Sequence, residues 1–159
     1  MENKLKVLIL EDLPSDAELA KRELKTVFPN HVVEVVETED GFVNALKTFN
    51  PDLIISDYIL PTFDGLSALK IRQSIAPFTP FVMLTGSVNE ATAVECMKAG
   101  ADDYVIKEHI KRLGIAVINA LEKKKTEQER RKSENEIKKL STAIEQSPVS
   151  ILIQIKKAI

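Results

Sequence analysis

Five short apolar runs punctuate the first two thirds of the chain: LKVLIL (5–10), VVEVV (32–36), LIIS (53–56), FVML (81–84) and YVI (104–106). LIIS has no polar residue on alternate positions before its last, which predicts a strand buried on both faces. The segments between the runs carry a helical period instead. Leu13, Ala17, Ala20, Leu24 and Val27 follow a 4-3-4-3 spacing, and Phe42, Ala45, Leu46 and Phe49 repeat the stripe. Pro14, with Asp16 and Glu18 behind it, suits the start of the first helix, where the helix dipole favours acidic side chains. Asn89 and Gly100 bracket a fourth helix as N-cap and C-terminal stop. This alternation predicts an α/β fold: a doubly wound five-stranded parallel sheet in the common order 2-1-3-4-5.

A fifth helix is predicted from Ile110, with Leu113, Val117, Ala120 and Leu121 facing inward. It meets no stop signal. EKKKTEQERRKSENE (122–136) continues without Gly, Pro or a large apolar residue, and eleven of its fifteen residues are charged. Glu127 with Arg131, and Glu134 with Lys138, stand at the stabilising i,i+4 spacing. The expectation is a solvated helical extension. Ile137, Leu140 and Ile144 then resume a 3-4 apolar spacing that hints at a helix–helix seam, too short to establish a coiled coil. The predicted division is a domain over 1–121, a charged helical linker over 122–140, and a further piece over 141–159.

Charge divides the chain in the same place. The net charge of −2 over 159 residues combines −7 in residues 1–107 with +5 in residues 108–159. An acidic body repels phosphate backbones, so nucleic acid is not an expected partner. The single Cys96 excludes an internal disulfide and a thiolate zinc cluster, which fits a reducing compartment. No signal-peptide or membrane-span pattern occurs, and the expected location is cytoplasmic.

The polar residues at the strand ends change the picture. Glu11 and Asp12 end the first strand, Asp57 the third, Thr85 the fourth and Lys107 the fifth. In an open α/β sheet the carboxyl ends of the strands line the ligand crevice, at the point where strand order reverses. Three carboxylates on neighbouring strands repel one another unless a hard divalent cation or an ammonium relieves them. Mg2+, Lys107 and the Thr85 hydroxyl around one carboxylate are the parts for phosphoryl transfer, with Asp57 as nucleophile.

These residues lie within LILEDLPSD, LIISDYILPTFDGL, FVMLTGS and AGADDYVIKE, a set that resembles the receiver domain of two-component response regulators over residues 4–121. The resemblance implies a phosphorylation-controlled signalling switch. Asp57 would be the phosphoacceptor, Thr85 the switch hydroxyl, Lys107 the conserved-type lysine and Tyr104 the aromatic switch. Glu11, Asp12, Asp57 and the backbone carbonyl of Ile59 would hold Mg2+. The implied partner is a histidine kinase or histidine phosphotransfer protein. The chain would not be an enzyme beyond assisting its own phosphorylation and dephosphorylation. A homodimer through the fifth helix and its extension is a further expectation. Pro61, Asp64 and Gly65 match the loop after the phosphoacceptor, with Asp64 read as an N-cap. Glu108 stands where many receivers carry proline, which leaves the geometry of the 107–108 peptide open. Gly86 replaces the commoner alanine. LSTAIEQSPVSILI (140–153) resembles the opening of a PAS domain, as in hybrid sensory histidine kinases that begin with a receiver.

Other chemistries fit less well. A haloacid-dehalogenase-like Mg2+ phosphohydrolase, the alternative enzyme reading, wants a second Asp two residues after the nucleophile, where Ile59 stands. Flavodoxin-like FMN capture wants a hydroxyl- and glycine-rich phosphate loop where EDLPSD stands. Cys96 is expected to pack, His31 and His109 to ligate no metal, and Asp102 and Asp103 to be loop solvation. Ile59 and Ser87 are expected to flank the phosphoryl site.

Overall fold

The computed structural model describes residues 3–86 and 89–146. The apolar runs form β1 (Leu5–Leu10), β2 (His31–Val36), β3 (Leu53–Ser56), β4 (Phe81–Thr85) and β5 (Asp103–Ile106). All pair in parallel, in the order β2-β1-β3-β4-β5. Between and after them lie α1 (Pro14–Val27), α2 (Glu39–Thr48), α3 (Gly65–Ile75), α4 (Glu90–Lys98) and α5 (Leu113–Gln146). The helix starts follow local chemistry. Pro14 opens α1, and side-chain oxygens of Thr38, Asp64 and Asn89 accept backbone N–H groups of Gly41, Ser67 and Ala91. Gly100, just beyond α4, takes φ +109°, a conformation that penalises any Cβ.

Because strand side chains alternate between faces, the sheet builds two cores. Val7, Ile9, Leu53, Ile55, Val82, Leu84 and Val105 pack against α1 and α5 on one side. Leu8, Leu10, Ile54, Phe81 and Met83 pack against α2, α3 and Cys96 of α4 on the other. Central strands buried on both sides leave only their ends for polar groups. That places chemistry at the carboxyl edge.

Four expectations change, and the open geometry of the 107–108 peptide is decided. Leu13 does not join the α1 stripe: it is the N-cap residue and half exposed. A 3-10 helix over Lys107–Arg112, broken at His109, precedes α5, so the fifth α-helix starts at Leu113 rather than Ile110. Among the described residues there is no cis peptide bond, so Lys107–Glu108 is trans. Asp102 is not loop solvation. Its side chain is 3% exposed, accepts the Phe81 N–H at 2.8 Å, and lies 3.6 Å from Lys124. It ties the start of β4 to α5. Asp103 is the first residue of β5 and is paired with Arg112 at 3.1 Å.

The chain divides into two compact units, Met1–Lys124 and Lys125–Ile159. In the second, the described residues are helical through Gln146. Arg131 lies 3.6 Å from Glu127 and Arg130 lies 3.8 Å from Glu134, as i,i+4 pairs on a solvated helix. Ile137, Leu140 and Ile144 are exposed there. Most of the PAS-like stretch, from residue 147 on, lies outside the described residues, as does Ser87.

Candidate functional site

β1 and β3 are neighbours, with Leu10 opposite Ser56, so the residues that follow them emerge side by side. Carboxylate oxygens of Glu11, Asp12 and Asp57 all lie within 4.8 Å of one another. Glu11 is 3% and Asp57 9% exposed. Asp57 is held at both oxygens: Oδ1 accepts the Tyr58 N–H at 2.7 Å and Oδ2 accepts the Lys107 ammonium at 2.9 Å. Its backbone is fixed by an N–H donated to the Leu10 carbonyl.

Gly65 accounts for the tight loop behind this carboxylate. A Cβ there would stand 2.6 Å from the Asp57 carbonyl oxygen and 2.6 Å from Met83 Sδ. Only glycine lets α3 start so close to the strand end. The loop is closed by a bridge between Ile59 and Asp64. The Ile59 side chain points into solvent, 68% exposed.

Lys107 follows β5 and reaches across the crevice. Its Nζ lies 2.9 Å from Glu11 Oε2, 2.9 Å from Asp57 Oδ2 and 2.6 Å from Asp16 Oδ2. Burial acts to lower its pKa, but hydrogen bonds to Asp16, Glu11 and Asp57 outweigh it and hold the ammonium well above the ordinary lysine value. The Glu11 carboxyl is pushed up to about 7, chiefly by burial, with the charge of Asp57 adding to it and hydrogen bonds from Lys107 and the Leu13 N–H opposing it. Three carboxylates crowded at one strand edge share a single ammonium. A hard cation with oxygen ligands answers that shortage, and the donor set of clustered carboxylates fits Mg2+.

Thr85 ends β4, 2% exposed, and a hydrogen bond joins its side chain to that of Tyr104. Tyr104 is half-buried against the α2–α4 core. The structure therefore brings together Glu11, Asp12, Asp57 and Lys107, and links Thr85 to Tyr104. Asp64 caps α3, accepting Ser67 N–H at 2.7 Å. Cys96 is buried, and burial pushes its thiol pKa up. His31 Nδ1 lies 2.7 Å from the Phe28 carbonyl.

Asp16 is the site residue that sequence reasoning missed. Its place in the first turn of α1 has an adequate local explanation in the helix dipole, which hid the second one. The available signal was the third acid of EDLPSD, just after the acidic pair. Arg72 was missed as well: it is buried within α3 and donates to the carbonyls of Pro77 and Gly100.

Comparison with known proteins agrees with this fold. The sequence profile of the response regulator receiver domain matches residues 7–119. The chain is 36% identical over 104 residues to Protein RcaC of Microchaete diplosiphon, covering 65% of this chain and 16% of that protein. It is 31% identical over 120 residues to the transcriptional regulatory protein ResD of Bacillus subtilis, covering 75% of this chain and 48% of that protein. The chain thus spans less than half the length of either relative. Among solved structures, the signal receiver domain of a LuxO repressor protein from Vibrio parahaemolyticus superposes with a TM-score of 0.69 at 30% identity, covering 79% of this chain and 96% of that one.

Proposed function

Because this chain belongs to the response regulator receiver domain family, a family of phosphorylation-controlled switches, we propose that Asp57 is its phosphoacceptor. The observation that carries the reading is the cluster of Glu11, Asp12 and Asp57 oxygens within 4.8 Å, with Lys107 Nζ 2.9 Å from Asp57. Receiver domains take their phosphoryl group from histidine kinases or phosphotransfer proteins, and such a donor is the partner here. An Asp57 oxygen attacks phosphorus as the phosphorus–nitrogen bond of the donor phosphohistidine breaks, the imidazole leaving with the electron pair. Glu11, Asp12, Asp57 and the Ile59 carbonyl would hold Mg2+, which would supply charge neutralisation on the phosphoryl oxygens.

The remaining residues act in named roles. Lys107 holds a phosphoryl oxygen, and Thr85 donates its hydroxyl to another. Thr85 already bonds to Tyr104, so a Thr85 drawn toward the phosphoryl group changes what Tyr104 is tied to. That contact is the switch. The phosphohydrolase reading is disfavoured by Ile59 at the position of the second aspartate. The role is that of a switch, in which the chain assists its own phosphorylation and dephosphorylation.

Along this chain we propose a receiver over 1–121, a helical linker over 122–140 and the start of a PAS-like domain over 141–159, acting in the cytoplasm as a homodimer through α5. No helix among the described residues is long and apolar enough to cross a membrane.

Incubation with acetyl phosphate and Mg2+, followed by intact mass measurement, tests the central assignment. The expected result is a gain of one phosphoryl group that is absent in Asp57→Asn. No adduct, or one that persists in Asp57→Asn, overturns it.

A further inference from the structure

The proposed chemistry needs Lys107 to hold a phosphoryl oxygen, yet in this structure the lysine is fully engaged. An ammonium has three N–H donors, and three carboxylates meet Nζ. They are Asp16 at 2.6 Å, Glu11 at 2.9 Å and Asp57 at 2.9 Å. The closest of the three is the residue with no part in the acidic cluster. Glu11 and Asp57 share their oxygens with Asp12 in that cluster, whereas Asp16 is not among its members. Asp16 bears on the lysine.

Asp16 is also fixed in place. It sits in the first turn of α1, beside Ala17, and Ala17, Ala20 and Leu24 anchor that helix in the core. Its carboxylate cannot follow the ammonium far. The side chain is 24% exposed, so water can take over its hydrogen bonds when the lysine leaves, and release is not prohibitive. A phosphoryl group arriving on Asp57 brings further negative charge to a pocket that already holds Glu11, Asp12, Asp16 and Asp57 around Lys107. The incoming anion and Asp16 would then bid for the same N–H donors.

Resting on the reading of Asp57 given above, we propose that Asp16 is a positioning residue that competes with the phosphoryl group for Lys107. It parks the ammonium on the α1 side of the crevice when the site carries no phosphoryl group. The ease of phosphorylation is thereby set partly by the first turn of α1. Asp16 touches neither phosphorus nor the acceptor oxygen. Its effect passes through Lys107.

The test uses the full chain and beryllofluoride as a phosphoryl mimic, with Mg2+ and then beryllofluoride titrated by calorimetry. Wild type, Asp16→Asn, Asp16→Ala and Glu18→Gln are compared. Glu18 lies on the same helix with a largely exposed side chain paired to Lys21, so its variant controls for loss of one charge. Both Asp16 variants are expected to bind beryllofluoride roughly tenfold more tightly, with Mg2+ affinity within about twofold of wild type. Glu18→Gln is expected to match wild type. A purely structural role would lower thermal stability without separating the two affinities. Unchanged or weaker beryllofluoride binding in both Asp16 variants overturns the proposal, as does an equal gain in Glu18→Gln. A wild type that neither binds beryllofluoride nor takes a phosphoryl group from acetyl phosphate overturns the reading of Asp57 instead.

Discussion

Glu11 is a carboxylate that water scarcely reaches, and it is tolerated because Lys107 and the Leu13 N–H both donate to it. Burial nonetheless pushes its pKa from 4.5 up to about 7. The sign of the linkage follows from that direction. A folded-state value above the ordinary one means the metal-free fold prefers protonated Glu11. Its contribution to stability is complete below pH 4.5 and is lost as pH rises through about 7. The deprotonated form is the one that takes a cation. Apparent Mg2+ affinity should therefore rise about tenfold between pH 6 and pH 8, read as a larger Mg2+-induced rise in Tm at pH 8. Gly65 makes a second residue-scale prediction. With 2.6 Å to the Asp57 carbonyl, Gly65→Ala must push α3 or the Asp57 backbone aside. A loss of about 2 kcal/mol in urea unfolding is expected, together with slower phosphorylation from acetyl phosphate.

At the scale of elements, the ends of β4 and β5 opposite the site are held by buried charged groups as well as by apolar packing. Arg72 of α3, 1% exposed, donates to Gly100 at 2.6 Å and Pro77 at 3.1 Å, with its guanidinium 5.8 Å from the Phe81 ring. It fastens α3 to the loop that precedes β4 and to the loop that precedes β5. Arg72→Ala leaves two carbonyls short of a donor and a cavity beneath Phe81. Unfolding free energy should fall by about 3 kcal/mol, and Arg72→Lys should recover only part, since lysine lacks the forked donors. Asp102 makes the matching tie from β5 to Phe81 N–H and Lys124. Both ties were illegible in the sequence because they join residues 28 and 21 positions apart. The strands and caps were legible because each depends on neighbours within a few residues.

For the molecule as a whole, the charge asymmetry and the helix α5 belong together. The acidic unit carries the carboxyl-edge crevice, and the helix beyond Lys124 is covered in charge except for Ile137, Leu140 and Ile144. Exposed apolar residues at 3-4 spacing gain from pairing with a second helix. If α5 pairs two copies, Leu140→Asp should weaken the dimer by roughly tenfold or more, since it removes an apolar contact and places two carboxylates together. Light scattering across a concentration series reads this, while phosphorylation of Asp57 serves as the control that the receiver is intact. A wild-type chain that is monomeric throughout would overturn the dimer.

The amino-acid sequence by itself determined the alternation of strands and helices, the helix starts at Pro14, Asp64 and Asn89, and the placing of Glu11, Asp12, Asp57, Thr85 and Lys107 at strand ends. Each follows from local periodicity, capping, and the rule that a doubly covered sheet exposes only its edges. Tertiary structure decided which of those groups meet. It brought Asp16 to Lys107 across 91 residues of chain, joined Thr85 to Tyr104, and buried Arg72 and Asp102 as ties between elements. Such pairings depend on where helices pack against the sheet, and packing is set by the whole core rather than by any one stretch of sequence.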